Sequence, residues 1–357
     1  MTTVSFPGLG IPEFTINPIA IPFGEGGIRW YALLIVTGMI FAVIYAQYRA
    51  KSEGINFDTI IDFAIFTIPI GIIGARLFYV FFDWIDVMVN NKPNPYQSFV
   101  DVIAIWEGGL AIYGGIIFGT ITIFAVAKAK KMTWSRLFKV LDAIAPGVMV
   151  AQAIGRWGNF CNGEAYGTPT SLPWRMCSDK FAHRLYSLDF IDLETKQQML
   201  NGTLGVHPTF LYESLWNILG FILINIFYKK KRFDGQIMLM YFSWYGFGRM
   251  FIELLRTDSL TNGNSLRVSS LIGLLSFVIA GSLLLYLFIR NKGKKAFASD
   301  VTNAAEDTET EDTVKSESEE ISKSEEKIET NSPPSNSEIQ NQETKESNEE
   351  ENDGKID

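Results

Sequence analysis

Two cysteines in 357 residues, Cys161 and Cys177, are too few for a disulfide framework or a thiolate-held zinc site. They allow one bridge if both face an oxidising side. No basic residue precedes Arg29, so the charged leader region of a secretory signal peptide is missing and such a peptide is not expected. No internal repeat of the kind that builds many transporters is visible. From Ser299 to Asp357 there is no aromatic residue, and 20 Asp/Glu stand against 5 Lys/Arg. That stretch cannot bury enough apolar surface to offset its ordering entropy, so it is expected to be a disordered acidic tail. The overall net charge of −8 therefore hides a body, residues 1–298, of net charge +7. The body carries the 27 Phe, 8 Trp and 13 Tyr of the chain. Such a basic, strongly apolar body excludes an ordinary soluble enzyme and points to a membrane protein.

Crossing a bilayer takes about 20 predominantly apolar residues. Seven segments qualify: Trp30–Ala46, Ile60–Phe82, Val102–Ala127, Leu137–Ile154, Phe210–Tyr228, Ile237–Leu255 and Val268–Ile289. The fourth is the weakest, being short and holding Lys139, Asp142 and Pro146. The connections alternate in charge. Arg49 and Lys51 follow the first span; Lys128, Lys130, Lys131, Arg136 and Lys139 join the third and fourth. Lys229, Lys230, Lys231 and Arg232 join the fifth and sixth; Arg290, Lys292, Lys294 and Lys295 follow the last. The connection Asp83–Asp101 holds only Lys92. The positive-inside rule then places the N-terminus outside and the C-terminus inside. The expected fold is an all-α polytopic membrane protein with seven transmembrane helices. Residues 1–298 form the membrane body, with a small extracytoplasmic cap over about 155–206, and 299–357 form a cytoplasmic tail.

Polar residues within spans carry the functional signal, because an ionisable side chain in hydrocarbon costs about 2.5–3.5 kcal/mol even on the mildest scale. In YFSWYGFGRMFIELLR, residues Tyr245, Arg249, Glu253 and Arg256 recur at spacings of four, four and three, on one helix face. The plainer reading is an Arg249–Glu253 pair that only ties helices together. The fourth span runs into GRWGNFCNGEAYG, residues 155–167, whose four glycines suit a tight turn and close approach to a ligand. Arg156, Asn159, Asn162 and Glu164 are interleaved, a donor-rich set suited to a phosphate with one carboxylate beside it. A helix exit with a polar rim is the alternative. WEGGLAIYGG supplies Glu107 and Tyr113, in a segment that reads equally well as a packing seam. Glu213 and Asp142 are further intramembrane carboxylates that can cap or brace a neighbouring helix, while Arg76 and Asp62 look structural. Arg249 lies twelve residues past Ile237, roughly 18 Å into a core about 30 Å thick. Arg156, Tyr31 and Tyr113 are expected in the same outer layer, where phospholipid headgroups meet hydrocarbon.

These residues resemble the prolipoprotein diacylglyceryl transferase family. GRWGNFCNGEAYG matches its long glycine-rich motif almost throughout, and IRWYAL, LDAIAP, HPTFLYE and YGFGRMFIELLR match further segments in the same order. The resemblance covers about residues 5–290 and leaves out the tail. It implies transfer of a diacylglyceryl group from phosphatidylglycerol to the lipobox cysteine of an exported prolipoprotein, with a thioether formed and glycerol phosphate released. It implies a bacterial cell membrane location, an active site toward the outer leaflet, no cofactor, no metal and no nucleic-acid partner. By motif position, Arg249, Tyr31, Glu253 and Glu164 are expected to be catalytic, and Tyr113 is expected to join them. Arg156, Asn159, Gly167 and Tyr245 are expected to bind phosphatidylglycerol. Some members carry a histidine in a His-Gly-Gly segment; here Tyr113 precedes Gly114-Gly115, and neither His183 nor His207 takes that place. The reacting thiol belongs to the substrate, so Cys161 and Cys177 need no chemical role. A secondary transporter or anion channel, with buried Arg and Glu along a gated path, is the rival reading. It predicts polar stripes continuing into the inner half.

Overall fold

The computed structural model describes residues 1–23, 26–91, 93–105, 108–257, 261–262 and 266–292. The acidic tail, Glu107 and Lys92 lie outside the described residues. The chain opens with two hairpins. Strand β1 (Thr2–Phe6) pairs antiparallel with β2 (Ile11–Ile16), Val4 opposite Phe14, and β3 (Ile19–Phe23) pairs with β4 (Gly26–Arg29). Helices α1 (Trp30–Ser52), α2 (Phe57–Val89), α3 (Phe99–Ile103), α4 (Ile112–Ala129) and α5 (Trp134–Asn162) follow. A cap comes next, with β5 (Pro169–Thr170), α6 (Asp179–Ser187), α7 (Leu193–Leu200) and β6 (Gly205–Val206). The chain returns through α8 (Thr209–Tyr228), α9 (Gln236–Leu255), a short hairpin of β7 (Thr261–Asn262) and β8 (Leu266–Arg267), and α10 (Val268–Arg290). The described residues are thus mostly helical, with four two-stranded sheets among them that an all-α reading leaves out.

Six described helices, α1, α2, α4, α5, α8 and α10, are long and apolar enough to cross a membrane. This is the architecture of a polytopic membrane protein. Helix α9 has 20 residues but is diluted by Gln236, Ser243, Arg249 and Glu253, and it packs against α5, α8 and α10. Half of the apolar stretch of α5 is buried inside the protein, against 11% for α1 and α10. Helix α5 is therefore the axis, while α1 and α10 turn Val36, Ile40, Ile44, Ile279 and Leu285 outward, as lipid contact requires.

Three expected spans change their limits. The fourth is not short: α5 runs 29 residues, with Pro146 inside it, and ends when Gly163 takes a left-handed conformation at φ 68°. The second continues past Phe82 to Val89. The third begins at Ile112 rather than Val102, because the chain leaves helical geometry between α3 and α4, where Gly108 and Gly109 sit at φ 96° and 65°. Carbonyls in that connection need donors, and buried Arg76 of α2 supplies them. Its guanidinium donates to Asp101 O at 2.6 Å, Val102 O at 2.8 Å, Gly108 O at 2.8 Å and Gly109 O at 3.2 Å.

The cap has a core of its own, built from Val4, Tyr166, Met176, Phe181, Leu185, Met199, Val206 and Phe210. Strand β1 enters it through backbone bonds between Ser5 and Cys177, so the cap is not confined to the segment between α5 and α8. At the other end of α5 lies a buried ion cluster. Lys231 Nζ donates to Glu53 Oε1 and Oε2 at 2.7 and 2.6 Å, and lies 3.2 Å from Asp142 Oδ2 and 3.6 Å from Asp234 Oδ1. Asp142 also accepts from Gly235 N at 2.8 Å and Met238 N at 2.9 Å, which caps the first turn of α9 from a neighbouring helix. Burial works against the Lys231 ammonium, but Asp142 and Glu53 outweigh it and hold its pKa above the ordinary lysine value. Asp62 pairs with Lys130, consistent with a structural role for that carboxylate.

Candidate active site

Three helices converge on Glu213, which lies in the second turn of α8 with its side chain 3% exposed. Arg156 Nη2 from α5 is 2.7 Å from Oε2, and Arg249 Nη1 from α9 donates to Oε1 at 2.9 Å. Arg249 Nη2 lies 2.7 Å from Glu253 Oε2, one turn along α9. Arg256 Nη1 is 3.6 Å from Glu213 Oε1 and 3.9 Å from Glu253 Oε2. Two buried carboxylates among apolar helices each cost several kcal/mol unless paired, and here the arginines pair them. The spacing of Tyr245, Arg249, Glu253 and Arg256 therefore forms one face, as helical periodicity implies. Tyr245 is close enough to Arg249 to act on its charge, and it stacks on Tyr241 at 5.9 Å. Tyr241 OH accepts from Gln152 Nε2, one turn of α5 inward of Arg156.

The glycine-rich segment is not a turn for most of its length. Gly155 and Gly158 are helical, and α5 holds its register through Asn162. A Cβ on Gly158 would lie 2.9 Å from Tyr31 Cδ2 and 3.1 Å from Tyr31 Cα. The missing side chain is what lets the first turn of α1 close on α5. Tyr31 is thereby placed within electrostatic reach of Glu164 and Arg156. Asn159 lies three residues past Arg156, and its carbonyl accepts from Glu164 N at 2.9 Å as the chain leaves the helix. Glu164 is exposed, and among the described residues it makes no ion pair. Gly167 is a backbone crossing: its N donates to His207 O at 2.8 Å and it bridges to Arg256, while Thr168 N donates to Leu255 O at 2.7 Å. A Cβ there would lie 2.7 Å from both Leu255 O and His207 Cβ, so glycine ties the motif to the C-terminal end of α9.

Tyr113 stands apart. Its hydroxyl is 3.2 Å from Ser269 Oγ in the first turn of α10, and among the described residues no hydrogen bond joins it to the Glu213 cluster. The neighbouring Ser270 bonds Met250 O at 3.1 Å, so Tyr113 reaches the surroundings of Arg249 only through α10. Glu107 lies outside the described residues. His207 Nδ1 is 3.1 Å from Tyr212 OH, and burial lowers its pKa below the ordinary histidine value, which favours the neutral ring in a helix-start role. Cys161 and Cys177 are free, so they do not form the bridge their number allows. What sequence reasoning missed is Glu213 as the hub: it was one carboxylate among several. The signal that finds it is two arginines on separate helices facing the same layer, which need a common counter-ion.

The family profile for prolipoprotein diacylglyceryl transferase matches residues 18–286. The chain belongs to the prolipoprotein diacylglyceryl transferase family. It is 41% identical over 282 residues to phosphatidylglycerol–prolipoprotein diacylglyceryl transferases of Streptococcus equi subsp. zooepidemicus (strain MGCS10565) and Streptococcus pyogenes serotype M5 (strain Manfredo). Each match takes in 78% of this chain and 97% of the relative. The transferase profile runs from before β3 into α10 and so contains every member of the Glu213 cluster, while β1, β2 and the acidic tail fall outside it.

Proposed function

We infer that the protein transfers the diacylglyceryl group of phosphatidylglycerol to the cysteine thiol of exported prolipoproteins in a bacterial cell membrane. Family membership and the identity to curated transferases support the reaction. The observation that carries the site assignment is the state of Arg156. Its guanidinium, 19% exposed, holds Glu213 through Nη2, and no other hydrogen bond or ion pair within the described residues occupies its remaining donors. A planar fork with donors to spare is suited to two oxygens of one phosphate. Arg249 is held on both sides, by Glu213 and Glu253, and faces the same group from α9.

In the reaction the thiol loses its proton, a carbon–sulfur bond forms at the glyceryl carbon, and the bond from that carbon to the phosphate oxygen breaks. Glycerol phosphate leaves with the electron pair. Arg156 and Arg249 stabilise the charge that grows on the phosphate, the kind of contact whose loss costs about 10²–10³ in turnover. Asn159 and Tyr245 flank the two arginines, and Gly167 fixes the backbone beside Arg256. A thiol of ordinary pKa near 8.5 needs an acceptor for its proton. Glu164, which no arginine holds among the described residues, takes that part, with Tyr31 orienting substrate beside it. Tyr113 of α4, paired with Ser269 in the first turn of α10, acts as a positioning group. On this reading α9 is a seventh crossing, the N-terminus and cap face outward, and the cluster meets the outer leaflet; the alternating Lys/Arg connections support that orientation. The catalytic unit lies within residues 1–298.

The test is mass spectrometry of a lipobox peptide incubated with purified full-length protein and phosphatidylglycerol. A gain of one diacylglyceryl unit on the cysteine is expected; an unmodified peptide with active lipid and folded protein contradicts the reading.

A further inference from the structure

Helices α8 and α9 carry the same pattern, a tryptophan followed four residues later by a glycine: Trp216 with Gly220, and Trp244 with Gly248. The short connection after Tyr228 runs the two helices antiparallel, and the two patterns engage each other reciprocally. Trp216 Nε1 donates to Trp244 O at 3.1 Å, and Trp244 Nε1 donates to Trp216 O at 3.0 Å. The indoles stack with centroids 4.2 Å apart and planes inclined by 13°. Each ring covers the other helix's glycine. A Cβ on Gly248 would lie 2.7 Å from Trp216 Cε2, and one on Gly220 would lie 2.5 Å from Trp244 Cδ1.

This placement departs from the usual use of tryptophan in membrane proteins, where the ring anchors at the interface with water. Within apolar surroundings an indole N–H needs an acceptor, and a helix carbonyl already bonded within its own helix still offers a second lone pair. Small residues that let helices approach are a common packing device in membranes. Here the device is made specific, because a slip of α8 along α9 would lose both hydrogen bonds and drive both rings into side chains. The lock also sits next to the arginine cluster. Glu213 is three residues before Trp216 and Arg249 five after Trp244, roughly 5 and 8 Å along their helices in the same direction.

We propose that Trp216 and Trp244 are positioning residues of the transferase, whose reciprocal lock sets the register of α8 against α9 and so aims Arg249 at its partner Glu213. The inference rests on the transferase reading. A one-residue slip would turn Arg249 by 100° and break its 2.9 Å bond to Glu213. An error of about 1 Å in a reacting array can cost as much as a hundredfold.

The experiment compares Trp216→Phe, Trp244→Phe and the double variant in full-length protein. The readouts are kcat and KM with phosphatidylglycerol and a lipobox peptide, thermal midpoint, and near-ultraviolet circular dichroism. Because the two rings act as one unit, each single variant and the double should lose kcat equally, by about tenfold. The midpoint should move by no more than roughly 5 °C, and the exciton signal of the paired indoles should vanish in all three. Independent packing roles would instead give kcat losses that multiply in the double variant, and that result overturns the proposal. So does kcat within twofold of wild type in every variant, or a loss that disappears once turnover is expressed per folded molecule. Should the phenylalanine variants not accumulate, benzothienylalanine at position 244 keeps the ring shape and removes only the N–H; wild-type kcat there overturns the proposal. If the unmodified protein transfers nothing, the transferase reading fails on its own. The lock is then judged by the exciton signal, which must be present in the unmodified protein and lost in each single variant.

Discussion

The protein buries two ion clusters, one toward each end of α5, and they differ in how much hydrogen-bonding capacity they leave over. Fourteen residues separate Asp142 from Arg156 along that helix, about 21 Å. In the Lys231 cluster that lysine is 1% exposed and turned onto Glu53, Asp142 and Asp234, while Asp142 also caps α9. An ammonium has three donors, and these partners use them. In the Glu213 cluster the cations are arginines, 12–19% exposed, and Arg156 holds its carboxylate through one nitrogen. Both clusters satisfy the requirement that charge in hydrocarbon be paired. Of the two, among the described residues, the arginine cluster keeps planar donors without a partner on a side chain that is part exposed. Burial of charge by itself marks importance; spare donors at a partly open site mark chemistry.

That contrast predicts different failures at the two ends. The largest effect is expected from Arg249→Gln, which removes the charge facing the phosphate and leaves Glu213 and Glu253 short of a partner. Turnover should fall by about 10²–10³, measured by peptide lipidation, while the folded protein still accumulates in membranes. An equal fall in folded yield would make the Glu213 cluster as structural as the Lys231 cluster. The counterpart at the other end of α5 is Lys231→Met, which strands Glu53 and Asp142. It should cost about 3–5 kcal/mol of stability, seen as a lower thermal midpoint and lower yield, with turnover per folded molecule close to wild type. A specific loss of turnover at normal stability would break the distinction. The smallest effect is expected at Tyr113, tied to Ser269 rather than to the cluster. Tyr113→Phe should lose less than about tenfold, the worth of one modest hydrogen bond, with the shape of its pH profile unchanged; complete inactivation of a folded variant would place the phenol in the proton transfer.

How far the sequence announces this architecture depends on whether the deciding physics is local. The face of Tyr245, Arg249, Glu253 and Arg256 follows from helical period alone, and Arg156 stands out as a cation at the end of an apolar run. The continuation of α5 through Gly155 and Gly158 does not follow, because glycine at those positions answers to the approach of Tyr31 from α1 rather than to a turn. The hub role of Glu213 depends on the relative rotation of three helices, which no single-helix pattern encodes. Lys231 reads as one more basic residue in an inner connection, yet it folds back onto Glu53 and Asp142. The hairpins before Trp30 are obscured by Pro12, Pro18 and Pro22, residues that argue against strands, and by the register shifts between Val4 and Phe6 and between Ile19 and Ile21, which break the alternation. Tyr113 stands out in the sequence only as a departure from the family's histidine, and its attachment to Ser269 comes from the packing of α4 beside α10's first turn.

The central claim is that Arg156 grips the phosphate of phosphatidylglycerol with its fork and that charge alone does not suffice there. Steady-state kinetics of Arg156→Lys and Arg156→Gln, in folded membrane-inserted protein with phosphatidylglycerol as the varied substrate, test it most directly. The lysine variant keeps the charge but loses the planar pair of donors. It should be much less active than wild type, with the loss in kcat as well as in KM because the contact strengthens as the phosphate leaves, and the glutamine variant should be lower still. Near-normal turnover in both variants would contradict the account, remove Arg156 from the site and leave Arg249 to hold the phosphate alone.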